Sequence, residues 1–162
     1  MKQSLQNNNA EKKLVLLKKR ALYYLGKREY SRKELHEKIT PFSESLELTR
    51  QQVNQILTEL ESKDWLSDRR FADQFVFSKK GKFGLKKMEY ELKMRGVNEI
   101  IIHNALNEIK SEEYNLAKNI WEKKFRKLPE NPEERLKQMR FLQSRGINSA
   151  LIHQILSGKL SE

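Results

Sequence analysis

The densest group of functional side chains in the sequence lies in "SKKGKFGLKKMEYELKMRG", residues 78–96. Lys79, Lys80, Lys82, Lys86, Lys87, Lys93 and Arg95 crowd this one stretch, with Phe83 and Tyr90 between them. Ammonium and guanidinium groups neutralise phosphates, and aromatic rings offer faces on which bases stack. The same cations also match an acidic groove on a protein. A third reading is a solvated basic helix face whose aromatics point inward. Residue types and spacing leave all three open.

Covalent and acid–base chemistry finds less support. Cysteine is absent, which removes a thiol nucleophile, a disulfide framework and thiolate metal sites. The segment "KKGKFG" is basic and glycine-punctuated, but it follows a helical pattern and lacks the GK[ST] ending of a phosphate loop. Carboxylates lie close together at Glu89 with Glu91, Glu112 with Glu113 and Glu133 with Glu134. Paired carboxylates need a pocket to move their pKa values apart, and segments this polar predict solvated faces instead. His36, His103 and His153 stand far apart in the chain, with no second soft ligand beside any of them. Neither catalysis, a cofactor nor a metal is expected.

Composition sets the frame. The 162 residues carry a formal charge of +11, which raises the local concentration of polyanions or acidic protein surfaces without choosing between them. The surplus is spread along the chain, so no basic tail stands out. With only six Gly and three Pro, helices are favoured over sheets. No apolar run approaches the ~18 residues a membrane span needs, and the N-terminus lacks the apolar stretch of a signal peptide. A soluble, cytoplasmic, all-α protein is expected, a monomer without a membrane partner.

The elements that must carry the basic stretch follow from periodicity. Residues 1–9 are polar and Asn/Gln-rich, and are expected to be a disordered tail. Leu14, Leu17, Ala21, Leu22 and Leu25 then recur at helical spacing. Ser31 with Glu34, and Thr49 with Gln52, have the spacing of capping boxes. Leu35 and Ile39 mark a short helix that Pro41 should stop. Val53, Ile56, Leu57 and Leu60 mark a third helix. After Trp65 the pattern restarts: Ser67 is a cap, Leu66 and Phe71 form a staple, and Phe71, Ala72, Phe75 and Val76 face the core. Met88 and Leu92 point inward from the next helix. A further set spans 112–127, 132–145 and 149–157.

Two segments nearly coincide, "RGVNEIIIHNAL" at 95–106 and "RGINSALIHQIL" at 145–156. Gly96 and Gly146 fit a helix end that needs a left-handed residue, and Asn98 and Asn148 fit caps of the next helix. The repeated text is a helix–turn–helix hinge inside a repeated three-helix unit. The first set fits more loosely, because "TPFSESLEL" replaces the tight Arg-Gly turn. The expectation is an elongated array of about nine helices: a tail at 1–9, then three-helix repeats at 10–64, 65–110 and 111–162.

Four segments, in order, resemble the successive motifs of the RecX family, bacterial regulators of the recombinase RecA. They are "YLGKREYSRKELHEKI" (24–39), "WLSDRRFADQFV" (65–76), "GLKKMEYELKMRGV" (84–97) and "RFLQSRGI" (140–147). The Asp68, Arg70, Phe71, Ala72 element is the most specific. Leu85 stands where the family usually has Pro, and Lys87 where it often has Arg. The resemblance implies tandem three-helix repeats that bind RecA and its filament on DNA. It also implies restraint of filament growth, ATP hydrolysis, strand exchange and coprotease activity, without catalysis. Candidate contacts to RecA or to single- or double-stranded DNA are Arg70, Lys79, Lys80, Lys82, Lys86, Lys87, Arg95 and Arg145. The competing reading is a free-standing DNA-binding protein with tandem helix–turn–helix units. Its marker would be outward Arg, Asn or Gln on a recognition helix. The apolar segments "NEIIIHNAL" and "NSALIHQIL" lack it.

Overall fold

The structure, a computed structural model, describes residues 2–158, with the side chains of residues 2–7 outside the description. Among the described residues there are nine α-helices and no strand. They are α1 (Lys2–Leu25), α2 (Arg32–Ser45), α3 (Arg50–Ser62), α4 (Asp68–Lys79), α5 (Leu85–Met94), α6 (Glu99–Asn107), α7 (Glu113–Lys124), α8 (Pro132–Ser144) and α9 (Ser149–Leu156). A 3-10 turn, Lys110–Glu112, precedes α7. No described helix is long and apolar enough to cross a membrane.

Tertiary contacts divide the chain into two units. The first runs through Phe71 and includes Arg95–Val97; the second joins Ala72–Met94 to the chain from Asn98 onward. In the first unit α1, α2 and α3 pack on one another around Leu17, Ala21, Leu35, Ile39, Leu57 and Leu60, all fully buried. In the second unit α7, α8 and α9 close around Ala117, Ile120, Trp121, Leu142, Ile152 and Leu156. Trp121 donates to the buried Gln138 side chain at 2.7 Å, so its indole N–H is not orphaned. The predicted inward residues Phe71, Ala72, Phe75, Val76, Met88 and Leu92 are all buried.

Two local readings need correction. Pro41 does not stop α2 but lies inside it. Its ring is exposed, next to the exposed residues that face water, while Leu35, Ile39 and Ser43 continue the buried face. The missing donor therefore costs little on that side, and packing carries the helix four residues further. At the other end, α1 begins at Lys2 and so runs through most of the segment composition assigned to a tail. Adding polar residues to a formed helix needs no new nucleus.

The first repeat also has the turn that its sequence hides. Glu47 takes φ 56°, the conformation Gly96 takes at 75° and Gly146 at 79°. Leu48 N–H donates to the Ser43 carbonyl at 3.0 Å and Glu47 N–H to that of Glu44 at 2.9 Å. Ile147 and Gly146 make the same pair of bonds, to Leu142 at 3.2 Å and Gln143 at 2.9 Å. Both are the paired closure of a helix ending in a left-handed residue. Thr49, Asn98 and Asn148 then each cap the following helix.

Glycine is needed at 96 and 146 for a second reason. A Cβ on Gly96 would lie 2.9 Å from Lys33 Cβ, and one on Gly146 would lie 2.4 Å from the backbone N of Lys87. The preceding arginine carbonyls are used in each case. Ser31 Oγ donates to the Arg95 carbonyl at 2.7 Å, and Gly84 N–H donates to that of Arg145 at 2.7 Å. The start of α2 therefore seats on the first Arg-Gly turn, and the start of α5 on the second.

Candidate functional site

The eight predicted contact residues divide between the two units. Arg70 and Arg95 belong to the first unit, the other six to the second. Arg70 Nε donates to Glu29 at 2.8 Å and its Nη1 to Asp64 at 2.8 Å. Arg70 thus holds Glu29 and Asp64. Hydrogen bonding to Glu29 above all, and to Asp64, pushes its pKa further up. Its motif partner Asp68 accepts from the Arg32 backbone N–H at 2.7 Å, one of the orphan donors opening α2. Asp68 and Arg70 thus bond to other segments of the first unit. Arg95 lies 3.3 Å from the Glu34 carboxylate, whose other oxygen accepts from Arg28 at 3.0 Å. Glu34 is therefore drawn away from Ser31. Ser31 caps α2 through Glu34 N–H, but the reciprocal half of the predicted capping box is replaced by these ion pairs.

In the second unit the basic stretch divides further. Lys80 pairs with Glu112 at 3.5 Å. Lys87 donates to the Ser144 carbonyl at 3.2 Å and lies 4.5 Å from the Phe83 ring centre, with Lys79 on the same ring at 5.4 Å. Phe83 thus binds two of the chain's own cations. Tyr90 stays 61% exposed, beside Lys86 and Lys87 in a shallow hollow that Gln143 and Ser149 also line. Lys82 and Arg145 meet in another hollow, of about 230 Å³, with Gly81, Lys123, Lys124 and Phe141. Sequence reasoning missed Lys123 and Lys124. The doublet was visible, but only the fold brings the end of α7 to the loop after α4. Neither Lys82, Lys86, Lys123, Lys124 nor Arg145 has a carboxylate partner among the described residues.

His103 and His153 are exposed; His153 lies 3.5 Å from Arg135, and no described cluster of His and carboxylates could hold a metal ion. The sequence search for an outward polar helix face also overlooked α3. Its exposed residues Arg50, Gln51, Asn54 and Gln55 occupy adjacent turns, whereas α6 exposes Glu99, Ile100, His103 and Asn104.

Comparison with known proteins bears on this arrangement. A family model described as the third three-helix domain of RecX matches residues 111–156, and one for the second three-helix domain matches 67–106. The regulatory protein RecX of Ralstonia pickettii strain 12J is 37% identical over 142 residues, covering 88% of this chain and 87% of the relative. The protein of the same name from Chromobacterium violaceum is 39% identical over 142 residues, covering 88% and 90%. The chain belongs to the RecX family. Family members are regulatory proteins by name. In fold, it is similar to the crystal structure of RecX from Lactobacillus salivarius, with a TM-score of 0.72 at 20% identity over 91% of this chain and 96% of that one. A second crystal structure of regulatory protein RecX has a TM-score of 0.74 at 22% identity, covering 90% and 73%. The tandem three-helix architecture read from the repeated turns is therefore the family's own.

Proposed function

We propose that the protein binds RecA and the RecA filament on DNA, and that it restrains filament extension, ATP hydrolysis, strand exchange and coprotease activity. RecA-dependent DNA repair in the cytoplasm is the setting this reading implies. Membership of a family of regulators, established over 88% of the chain, carries it. A likeness of fold alone would not, since three-helix units serve many tasks. The mechanism is linkage: a ligand that prefers one filament state shifts the population by its differential affinity, and no bond is made or broken. The basic stretch of residues 79–87 and the Arg145 side chain are the proposed contacts. Arg70, Lys80 and Arg95 each lie beside carboxylates, so they rank below the others as contacts.

The test is steady-state ATP hydrolysis by RecA on single-stranded DNA. Hydrolysis should fall at well below one protein per RecA. Unchanged hydrolysis at equimolar folded protein overturns the reading.

The exposed Arg50, Gln51, Asn54 and Gln55 on α3 favour a second reading, direct binding of double-stranded DNA by a helix face that can reach base edges. Substituting Arg50, Gln51 and Asn54 by Ala should then weaken binding to bare duplex and leave RecA inhibition unchanged. Equal loss of both would attach α3 to the filament contact.

A further inference from the structure

We infer that the groove between α5 and α6 receives an arginine side chain presented by a partner protein. The sibling helix pairs of the chain supply the reason. In the last pair Arg135, near the start of α8, reaches across to α9. Its Nη1 donates to the Leu156 carbonyl at 3.3 Å, and its Nη2 lies 3.5 Å from His153 Nδ1. In the first pair Arg32, at the start of α2, reaches across to α3. Its Nη2 donates to the Asn54 carbonyl at 3.4 Å and to the Thr58 hydroxyl at 3.3 Å, while its Nη1 binds Glu61. When the left-handed residues Glu47, Gly96 and Gly146 are set on one another, Asn54, His103 and His153 fall at the same place on the following helix. Each outer pair therefore lays a guanidinium against that place. The middle pair has none. Leu85 stands where α8 has Arg135, and His103 is exposed without a side-chain partner among the described residues. A groove of about 410 Å³ stays open beside it.

The lining of the groove suits the same group. Leu85, Ile102 and Leu106 are its buried and half-buried apolar residues, against which the methylene stem of an arginine can lie. Glu89, Glu99 and Asn107 offer oxygens to its head. Lys93 also lines the groove, 2.9 Å from Glu89 and 3.5 Å from Glu99, and each of these contacts uses one carboxylate oxygen. The second oxygen can take another cation, as the two oxygens of Glu34 are shared between Arg95 and Arg28. A guanidinium fork meets a carboxylate with two parallel bonds, which the ammonium of a lysine does not. An acidic segment, which most of this basic surface would attract, would face both carboxylates here. A second copy of the chain is opposed by self-repulsion at +11 each, so the arginine comes from a different protein.

The experiment titrates the isotopically labelled full chain with acetyl-Ala-Ala-Arg-Ala-Ala-amide and follows the backbone amide shifts by NMR, without RecA. Saturable shifts should centre on His103 and Asn107. The peptide with citrulline in place of arginine should not bind, and the lysine peptide should bind more weakly. Glu89→Gln combined with Glu99→Gln should weaken the arginine peptide about fivefold or more, the loss expected of charge-assisted hydrogen bonds. A control combining Glu122→Gln with Glu133→Gln removes the same charge from exposed positions elsewhere and should change far less. Leu85→Arg gives the middle pair its own guanidinium and should abolish the response, whereas Leu85→Gln should keep it. Melting curves establish that each variant folds; if Leu85→Arg does not, the carboxylate variant decides. The inference is overturned by the absence of saturable shifts at the groove, by equal binding of the citrulline peptide, by equal losses in the carboxylate variant and its control, or by undiminished binding to folded Leu85→Arg. Free arginine binding more tightly than the peptide also overturns it and assigns the groove to the amino acid itself. Because RecA is absent, no result depends on the regulatory reading.

Discussion

Gly84 is denied a side chain by its neighbour, not by its own backbone. A Cβ there would lie 2.6 Å from the Gly146 carbonyl oxygen, and only backbone movement could relieve the clash. Gly84→Ala should destabilise the protein by about 1–3 kcal/mol, the usual cost of overpacking, as read from thermal unfolding without any partner. Gly96→Val and Gly146→Val add a left-handed φ to the same crowding and should cost at least ~1–3 kcal/mol each. Glu47 is the converse case. It bears the left-handed strain, ~1–2 kcal/mol, so Glu47→Gly should stabilise by about 0.5 kcal/mol once the unfolded-chain entropy of glycine is subtracted. The lost Lys13 pair, with Glu47 86% exposed, changes this little. Glu59 supplies a pH prediction. Hydrogen bonds from Lys18, and then Lys63, hold its pKa down at about 2 against an ordinary 4.5. A depressed carboxylate supports the fold fully above its unfolded pKa and loses that support as pH falls from about 4.5 through about 2. Carboxyl NMR should show Glu59 titrating near 2, and Lys18→Met should raise the midpoint.

Helix α2 begins at a junction rather than at a cap alone. Ser31 is fully buried; its oxygen accepts from Glu34 N–H at 3.1 Å while its hydroxyl donates to the Arg95 carbonyl. Ser31→Ala removes both bonds and leaves a carbonyl without its donor. The expected loss is about 1–3 kcal/mol, larger than for an exposed cap. Asp68→Asn tests the neighbouring bond, because the amide oxygen can still accept from Arg32 N–H; it should cost less than Asp68→Ala in the same melting experiment. The division into repeats at 10–64, 65–110 and 111–162 remains our proposal for how these elements descend from one unit. The observed contacts cut across its middle member, taking the first turn of α4 and the Arg95–Val97 turn into the first unit.

At the scale of the whole chain, a formal charge of +11 acts beyond any single contact. On the proposed function it should steer the protein toward the DNA-bearing RecA filament, so the association rate should fall steeply as salt rises, while dissociation changes less. Stopped-flow fluorescence at several ionic strengths separates the two rates. Self-repulsion by the same charge favours a monomer, which sedimentation equilibrium would report.

How much was legible without the structure depended on distance along the chain. Helices, buried stripes and the caps Thr49, Asn98 and Asn148 were readable, because each rests on residues within one or two turns of one another. So was the repeated Arg-Gly turn, and through the ordered motifs the family. The same turn at Glu47 was hidden, since a glutamate and not a glycine takes the left-handed position there. Pro41 misled because a local rule about one lost donor was outweighed by tertiary packing of the opposite face. The candidate site was legible only as a basic stretch. Which cations are spent on carboxylates, as Arg70 and Lys80 are, and which meet in a hollow, as Lys82, Lys123, Lys124 and Arg145 do, depends on partners up to dozens of residues away. Charge acts through space, and the sequence orders residues only along the chain; the tertiary fold alone decides which charges become neighbours.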